Sequence, residues 1–449
     1  MHDRKIQRVG RAIQETDVIN MNRPNNLQQT YGSVIVVGAG PGGATAARTL
    51  AEAGISVTLL DRSTFPRNKP CGGGVSARSL RRFPYLGKAL PRITTHQVRR
   101  LRLEGPGSST TVESHEHAAL LIRRLDFDAL LVSLAVESGA TFVSGIDVVD
   151  AWAGEEQVAL RTRDGRVFSA SIVVAADGVH SVIARRLGLN DGWPARAVAL
   201  DMMEETPRDA LRDLDPETLW VAYGYEPSEA RQRPPRAAEG YAYVFPKQDH
   251  VNVGIGFVLS YYRDAVSSAP YELQRQLIDA LKARGMMAGD SVRGNFTPFL
   301  IPVGGPLACT ARGRVLLAGD AGGFVNAFTA EGIYYAMVTG DLAARAVIEA
   351  GAKPGGDRLA RRYEEAWNDE IGAELRDSVL IQRYLFRNRA RVSRIVRNAH
   401  KHAATTRAIL DYAIGRRSYT SLRRHLLTAY PHLVLGLLWE RLASRLTTD

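Results

Sequence analysis

Val34-Ile35-Val36-Val37-Gly38-Ala39-Gly40-Pro41-Gly42-Gly43 is an apolar run that breaks into a glycine loop, and its reading decides the fold. Ala44 to Glu52 follows with helix-like composition, and a second apolar run, Val57-Thr58-Leu59-Leu60, ends at Asp61 and Arg62. The order is strand, turn, helix, strand, acid. Gly38 allows the tight turn, Gly40 admits a pyrophosphate close to the backbone, and Gly43 lets the helix pack on the strand. The helix N-terminus offers amides and a positive dipole to the phosphates, and Asp61 can accept hydrogen bonds from a ribose. The stretch therefore predicts a bound dinucleotide. Two later segments share its strand-end logic: Ile172-Val173-Val174-Ala175-Ala176-Asp177-Gly178, followed by Arg185, and Arg314-Val315-Leu316-Leu317-Ala318-Gly319-Asp320-Ala321-Gly322-Gly323. In an open α/β sheet, ligands bind beyond the carboxyl ends of the strands. Asp61, Asp177 and Asp320 are thus expected at one edge; the plainer alternative is three ordinary strand-end turns.

This order of motifs resembles the FAD-binding proteins of the para-hydroxybenzoate hydroxylase type, whose late Asp meets the ribityl chain of FAD. Four more segments narrow the resemblance: Lys69-Pro70-Cys71-Gly72-Gly73-Gly74, Arg124-Leu125-Asp126-Phe127-Asp128, Gly240-Tyr241-Ala242-Tyr243-Val244-Phe245-Pro246-Lys247, and the Gly319 segment as it runs on through Asn326 and Glu331 to Tyr335. They resemble the geranylgeranyl reductase family, from about Ser33 to near the C-terminus. The resemblance implies an α/β fold: a Rossmann-like FAD-binding domain of the para-hydroxybenzoate hydroxylase/glutathione reductase type, an inserted α+β substrate domain and a helical C-terminal region. For FAD it implies Gly38, Gly40, Gly43, Asp61, Arg62, Cys71, Gly72, Arg124, Asp177, Gly319, Asp320, Gly332 and Ile333. For a prenyl substrate it implies Tyr241, Tyr243, Phe245 and Pro246. Two residues depart from the family pattern, which usually has Pro where Ala327 stands and Gly where Ala330 stands. That loop lies beside the flavin in the family, so the departures bear on its shape and on the substrate.

The chain has 449 residues, 45% hydrophobic and 23% charged, as in globular proteins. The expected organisation is a polar, disordered tail over 1–30, a discontinuous FAD domain over 31–190 and 300–350, a substrate domain over 191–299, and a basic helical region over 351–449. Translation could start at Met1 or Met21. Within the FAD domain, Asp164-Gly165 predicts a two-residue hairpin turn between Val158–Arg163 and Arg166–Phe168. The longest late apolar run, Leu433 to Trp439, is too short to span a bilayer. The first residues match neither a signal nor a transit peptide, so the cytoplasm is the expected compartment. Two cysteines provide neither a disulfide framework nor four ligands for an iron–sulfur cluster. That removes the cluster-bearing flavoproteins that pass electrons to quinone, and leaves a cluster-free carrier.

From Ile381 to Asp449, 14 Lys or Arg stand against 3 Asp or Glu, a surplus equal to the net charge of the whole chain, +11. Arg383, Arg387, Arg391, Arg394 and Arg397 recur at helical spacing, with Leu385, Val392, Ile395 and Val396 between them. Such a helix fits an anionic membrane surface, or equally the solvated face of a packed helix. Nucleic acid is the weakest reading, since no recognition motif accompanies the charge.

The implied chemistry is saturation of an isolated alkene, with hydride from reduced flavin and a proton from elsewhere. Glu331-Gly332-Ile333 is expected to open a helix whose amides stabilise charge on the flavin. Tyr241, Tyr243 and Phe245 share one face of a strand, as a pocket wall or as plain core, with Tyr223 and Tyr225 as further candidates. Cys71 is the tentative catalytic residue, tuning the flavin or relaying a proton, or else a small apolar filler. Lys69 either holds a phosphate head group or is simply solvated. His115 and His117 lack further ligands, so no metal is expected. Gly254-Ile255-Gly256 lies in a strand-like run without a third glycine, so no second nucleotide domain is expected. The flavin's reductant is NADPH at a surface site or a reduced electron-transfer protein. A flavin monooxygenase or halogenase is the rival activity, although the Trp-x-Trp-x-Ile-Pro segment of flavin halogenases is absent.

Overall fold

The computed structural model describes residues 28–30, 33–113, 119–226, 237–351 and 356–401, and from there 404, 407–408, 411–412 and 417–429. Its first sheet has six strands in the order Ala311–Arg312, Val315–Leu317, Ile172–Ala175, Val34–Val37, Val57–Asp61, Thr141–Ser144. All neighbours are parallel except the first pair. The two central strands, Ile172–Ala175 and Val34–Val37, read as unbroken apolar runs because both of their faces are covered. Val34 and Val36 face the helices Pro41–Glu52, Arg124–Glu137 and Ile333–Ala350. Ile35 and Val37 face a smaller sheet carrying Val148, Val158, Leu160 and Phe168. That smaller sheet contains the expected Asp164-Gly165 hairpin, pairing Val158–Thr162 with Val167–Ala170. It also takes in Gln28–Thr30, so the end of the expected disordered tail is a strand alongside Val167–Ser169. The rest of that tail lies outside the described residues.

The second sheet has seven strands in the order Phe296–Pro302, Val198–Pro207, His250–Val258, Gly240–Pro246, Thr218–Tyr223, Arg100–Gly105, Ser108–Glu113. The last two fall within the range assigned from sequence to the FAD domain. Arg100–Gly105 instead pairs in parallel with Thr218–Tyr223, more than a hundred residues away. One face of the sheet packs Trp220, Ala242, Val244, Val253 and Phe257 against Leu273, Leu277 and Leu281 of the helix Pro270–Ala283. The opposite face carries Tyr223, Tyr241, Tyr243, Phe245 and Phe299.

The helices Asp357–Trp367 and Ala373–Phe386 complete the first core through Leu359, Tyr363, Trp367 and Leu375. The basic helix Arg389–Lys401 lies on the hairpin of strands 100–113, where Val392 and Val396 are buried against Gly105. Its apolar side is therefore covered by protein. Arg389 pairs with Glu226 at 2.8 Å, and Arg391 stacks on Tyr384, while Arg394 and Arg397 are exposed. Among the described residues no helix is long and apolar enough to cross a membrane, and no His, Cys, Asp and Glu group could hold a metal ion. His115, His117 and Leu433–Trp439 lie outside the described residues.

Candidate functional site

The glycine loop closes on its neighbours as its sequence requires. Gly38 has a φ of 95°, and a Cβ there would strike the Ala176 carbonyl; a Cβ on Gly43 would strike the Gly38 carbonyl. Gly40 faces open space, with only the Arg67 guanidinium 3.8 Å from the place its Cβ would take. Gly42 packs against Ala336 and Gly340, so the helices Pro41–Glu52 and Ile333–Ala350 cross closely near their N-termini. Neither N-terminus carries a side-chain cap or an acidic residue in its first turn. Two uncapped amide termini thus converge beside Gly319 and Asp320, a cradle suited to an anionic cofactor.

The three acids do gather at one sheet edge, each engaged differently. Asp61 is buried and accepts from Ala39 N at 2.7 Å and Ser63 N at 2.8 Å. Asp177 Oδ2 accepts from Val182 N and Ile183 N, at 2.9 and 3.3 Å, while Oδ1 is buried without a partner. Burial pushes this carboxyl above its ordinary range. Asp320 lies 3.6 Å from Lys69 Nζ, so Lys69 is ion-paired rather than simply solvated. Arg62 is exposed at the same edge. Arg124 closes a bidentate pair on Asp128, at 2.6 and 2.7 Å, and its guanidinium also meets the Cys71 thiol. Arg67 reaches the same carboxylate at 3.0 Å. Arg67 was missed in the sequence, because nothing local marks a cation that folds back over the glycine loop.

The Cys71–Gly74 loop joins this cradle to the aromatic face of the second sheet. Cys71 Sγ accepts from Gly73 N at 3.3 Å, and a Cβ on Gly72 would lie 2.7 Å from the Phe245 ring. Along the aromatic strand the rings of Tyr241, Tyr243 and Phe245 follow one another at 6.1 and 5.0 Å, with Pro246 buried after them. Tyr223 extends the row, 5.5 Å from Tyr241 and stacked on Phe328 at 4.8 Å. Gly254 and Gly256 now have a reason. The Tyr243 ring lies across Gly254, where a Cβ would collide with it, and its hydroxyl donates to Asp201 Oδ2 at 3.0 Å. Asp201 is buried beside Gly256, and burial raises its carboxyl to about 7. Nothing local marks Asp201, which shares its strand with Glu204 and Glu205.

The loop 326–331 closes the junction. Asn326 Oδ1 accepts from Phe328 N and Thr329 N, and Tyr241 Oη donates to the Thr329 carbonyl at 3.0 Å. Ala330 has a φ of 53°, the single positive value at a non-glycine among the described residues, which shows why glycine suits the position. Ala327 N donates to Ser378 Oγ at 2.9 Å, a bond that proline could not make. Gly332 caps the following helix and Ile333 is its buried first residue. Arg78 fixes the preceding Glu331 at 2.8 Å and also reaches Glu374, Tyr335 and Tyr412. This buried clamp joins four segments far apart in sequence.

The chain matches the FAD binding domain family over residues 31–282. It is 31% identical over 364 residues to digeranylgeranylglycerophospholipid reductase 2 of Methanothermobacter thermautotrophicus, spanning 78% of this chain and 87% of that one. It is 29% identical over 348 residues to a menaquinone reductase of Mycolicibacterium smegmatis, 75% and 80% of the two chains. Its fold is that of a geranylgeranyl bacteriochlorophyll reductase-like protein of Thermoplasma acidophilum, with a TM-score of 0.75 and 22% identity, over 92% of this chain and all of that one. The open Gly40 cradle, the two uncapped helix ends and the orphaned Asp177 oxygen fit the FAD named by the matched domain family, and the chain belongs to the geranylgeranyl reductase family of FAD-dependent oxidoreductases.

Proposed function

We propose that this protein reduces carbon–carbon double bonds in the prenyl chain of a lipid or isoprenoid, at a membrane surface. One observation carries the reading. The aromatic row from Tyr223 to Phe245 closes on the Cys71–Gly74 loop and on Phe328–Ala330, the two segments that also border the cofactor cradle. A long apolar chain laid along that row would bring an alkene to the flavin. The relatives named above support it, since a digeranylgeranyl lipid and menaquinone both carry isoprenoid chains.

Bound FAD, once reduced, supplies the hydride. The protein's own groups do the rest. Gly38, Gly40 and Gly43 with the helix N-terminus hold the pyrophosphate, Arg67 adds a cation, and Asp61 takes the ribose. Asp320 takes the ribityl chain, and Asp177 Oδ1 is free to accept one further hydroxyl. The amides at Gly332 and Ile333 stabilise negative charge on the pyrimidine. Tyr241, Tyr243 and Phe245 exclude water and orient the chain. Arg394 and Arg397 face outward, and each cation near an anionic leaflet contributes about 1 kcal/mol. The reductant is NADPH or a reduced electron-transfer protein.

The test is a single turnover. The flavin is reduced chemically without oxygen, and a geranylgeranyl lipid is added. Reoxidation with a product heavier by two hydrogens supports the reading. Flavin that stays reduced until quinone arrives, with quinol as sole product, overturns it in favour of the electron carrier. Oxygenated product on admitting air points to a monooxygenase.

A further inference from the structure

Lys247 follows Phe245-Pro246 at the end of the aromatic strand, and its side chain turns inward. It is 3% exposed, and its Nζ is buried without a hydrogen-bond partner. Nζ lies 2.9 Å from the place a Cβ on Gly73 would take, so the ammonium fills the space that glycine leaves in the Cys71–Gly74 loop. A buried cation without a hydrogen-bond partner is expensive to keep. Behind it the chain turns, with Lys247 N donating to the His250 carbonyl at 2.8 Å. His250 Nδ1 and Asp249 Oδ1 are 2.6 Å apart. His250 Nε2 is buried without a hydrogen bond, 3.7 Å from Glu205 Oε1, and Arg123 holds Glu205 at 3.0 Å. Lys247, Asp249, His250, Arg123 and Asp126 line a cleft of about 10 Å³, room for a single water.

We propose that Lys247 donates the proton of the alkene reduction, and that His250 with Asp249 restores it from solvent through this cleft. The proposal rests on the prenyl reductase reading. The alkene π bond is lost and two C–H bonds form. A hydride from reduced flavin makes one of them. The π electron pair takes the proton of Lys247 Nζ to make the other. The lysine, left as a neutral amine, regains a proton from His250 and the water behind it, so solvent supplies one proton and the flavin two electrons. The groups facing Lys247 are Cys71, Glu205, Asp249, Arg123 and His250. Burial lowers the ammonium to about 8 despite the nearby acids, which makes it a stronger acid than an ordinary lysine yet still charged at neutral pH. Burial and the Lys247 charge hold His250 below its ordinary range, so it relays as a neutral imidazole.

The test uses FAD-bound enzyme, wild type and Lys247→Gln, with His250→Gln as a second variant. In protein labelled with ¹⁵N at the lysine Nζ, one signal should titrate near pH 8 and vanish in Lys247→Gln, with flavin content unchanged. In the single turnover above, Lys247→Gln should slow flavin reoxidation about 10²- to 10⁴-fold and abolish the fall in rate above pH 8. His250→Gln should slow it less and keep that fall. A Lys247→Gln enzyme with full flavin and an unchanged rate and pH profile overturns the proposal alone. So does a Cys71→Ala variant that removes the alkaline limb while Lys247→Gln retains it. A wild-type enzyme that never reoxidises with the lipid overturns the reductase reading, and the proposal with it.

Discussion

Replacing Asp201 by asparagine should flatten the dependence of stability on pH. Asp201 sits mid-strand on the aromatic face, with one side-chain donor, the Tyr243 hydroxyl at 3.0 Å. Burial is the main cause that raises its carboxyl from 3.8 to about 7. Between those values the folded protein keeps a proton that the unfolded chain has released, so stability falls as pH rises through that window. The stabilisation is fully present below 3.8 and lost by the time pH passes 7. From pH 5 to pH 7 the slope is ~1.4 kcal/mol per unit until the carboxyl begins to ionise near 7, so wild type should lose roughly 2 kcal/mol relative to Asp201→Asn. Asparagine keeps an oxygen for Tyr243 and cannot titrate. Urea unfolding of both proteins, followed by tryptophan fluorescence between pH 5 and pH 8.5, gives the difference at each pH, and titrations shared by the two cancel. A difference that stays constant within about 0.5 kcal/mol across that range would refute a neutral carboxyl in the pocket wall.

Three further outcomes are expected. Asp320→Ala should lose flavin on gel filtration, because a ribityl hydroxyl loses its acceptor; full yellow occupancy would count against that placement. Ala330→Gly should stabilise the fold by up to about 1 kcal/mol, the relieved left-handed strain less the entropy glycine adds to the unfolded chain, and so raise the melting temperature; marked destabilisation would show that the strain is absent. Arg78→Met should cost about 3–5 kcal/mol, since Glu331 and the buried Glu374 lose their shared cation. A change under about 1 kcal/mol in denaturant melts would mean the clamp is solvated.

Much of this protein was legible in short windows. The glycine loop, the acids at three strand ends, the Asp164-Gly165 hairpin and the alternation of Tyr241, Tyr243 and Phe245 are local patterns, fixed by φ preference and by a period of two along a strand. The family resemblance further implies that Cys71, Arg124 and the Gly332 helix each border the cofactor. What the glycines of Gly254-Ile255-Gly256 are for was not legible, because the Tyr243 ring beside Gly254 and the Asp201 carboxyl beside Gly256 belong to the two neighbouring strands.

The tertiary structure decided everything that depends on distant segments meeting. Strands 100–113 join the second sheet because Arg100–Gly105 finds its partner beyond residue 217. The basic helix turns its apolar side inward because Gly105 leaves room for Val392 and Val396. Arg67 and Arg124 share one carboxylate, Arg78 gathers residues from three later segments, and Asp201 and Lys247 become buried, unusual ionisable groups. Sequence by itself determined the elements and the cofactor class, since those follow from local backbone and side-chain preferences. Which charges lose their water is set by packing between segments far apart in the chain, and so only the folded structure decided it.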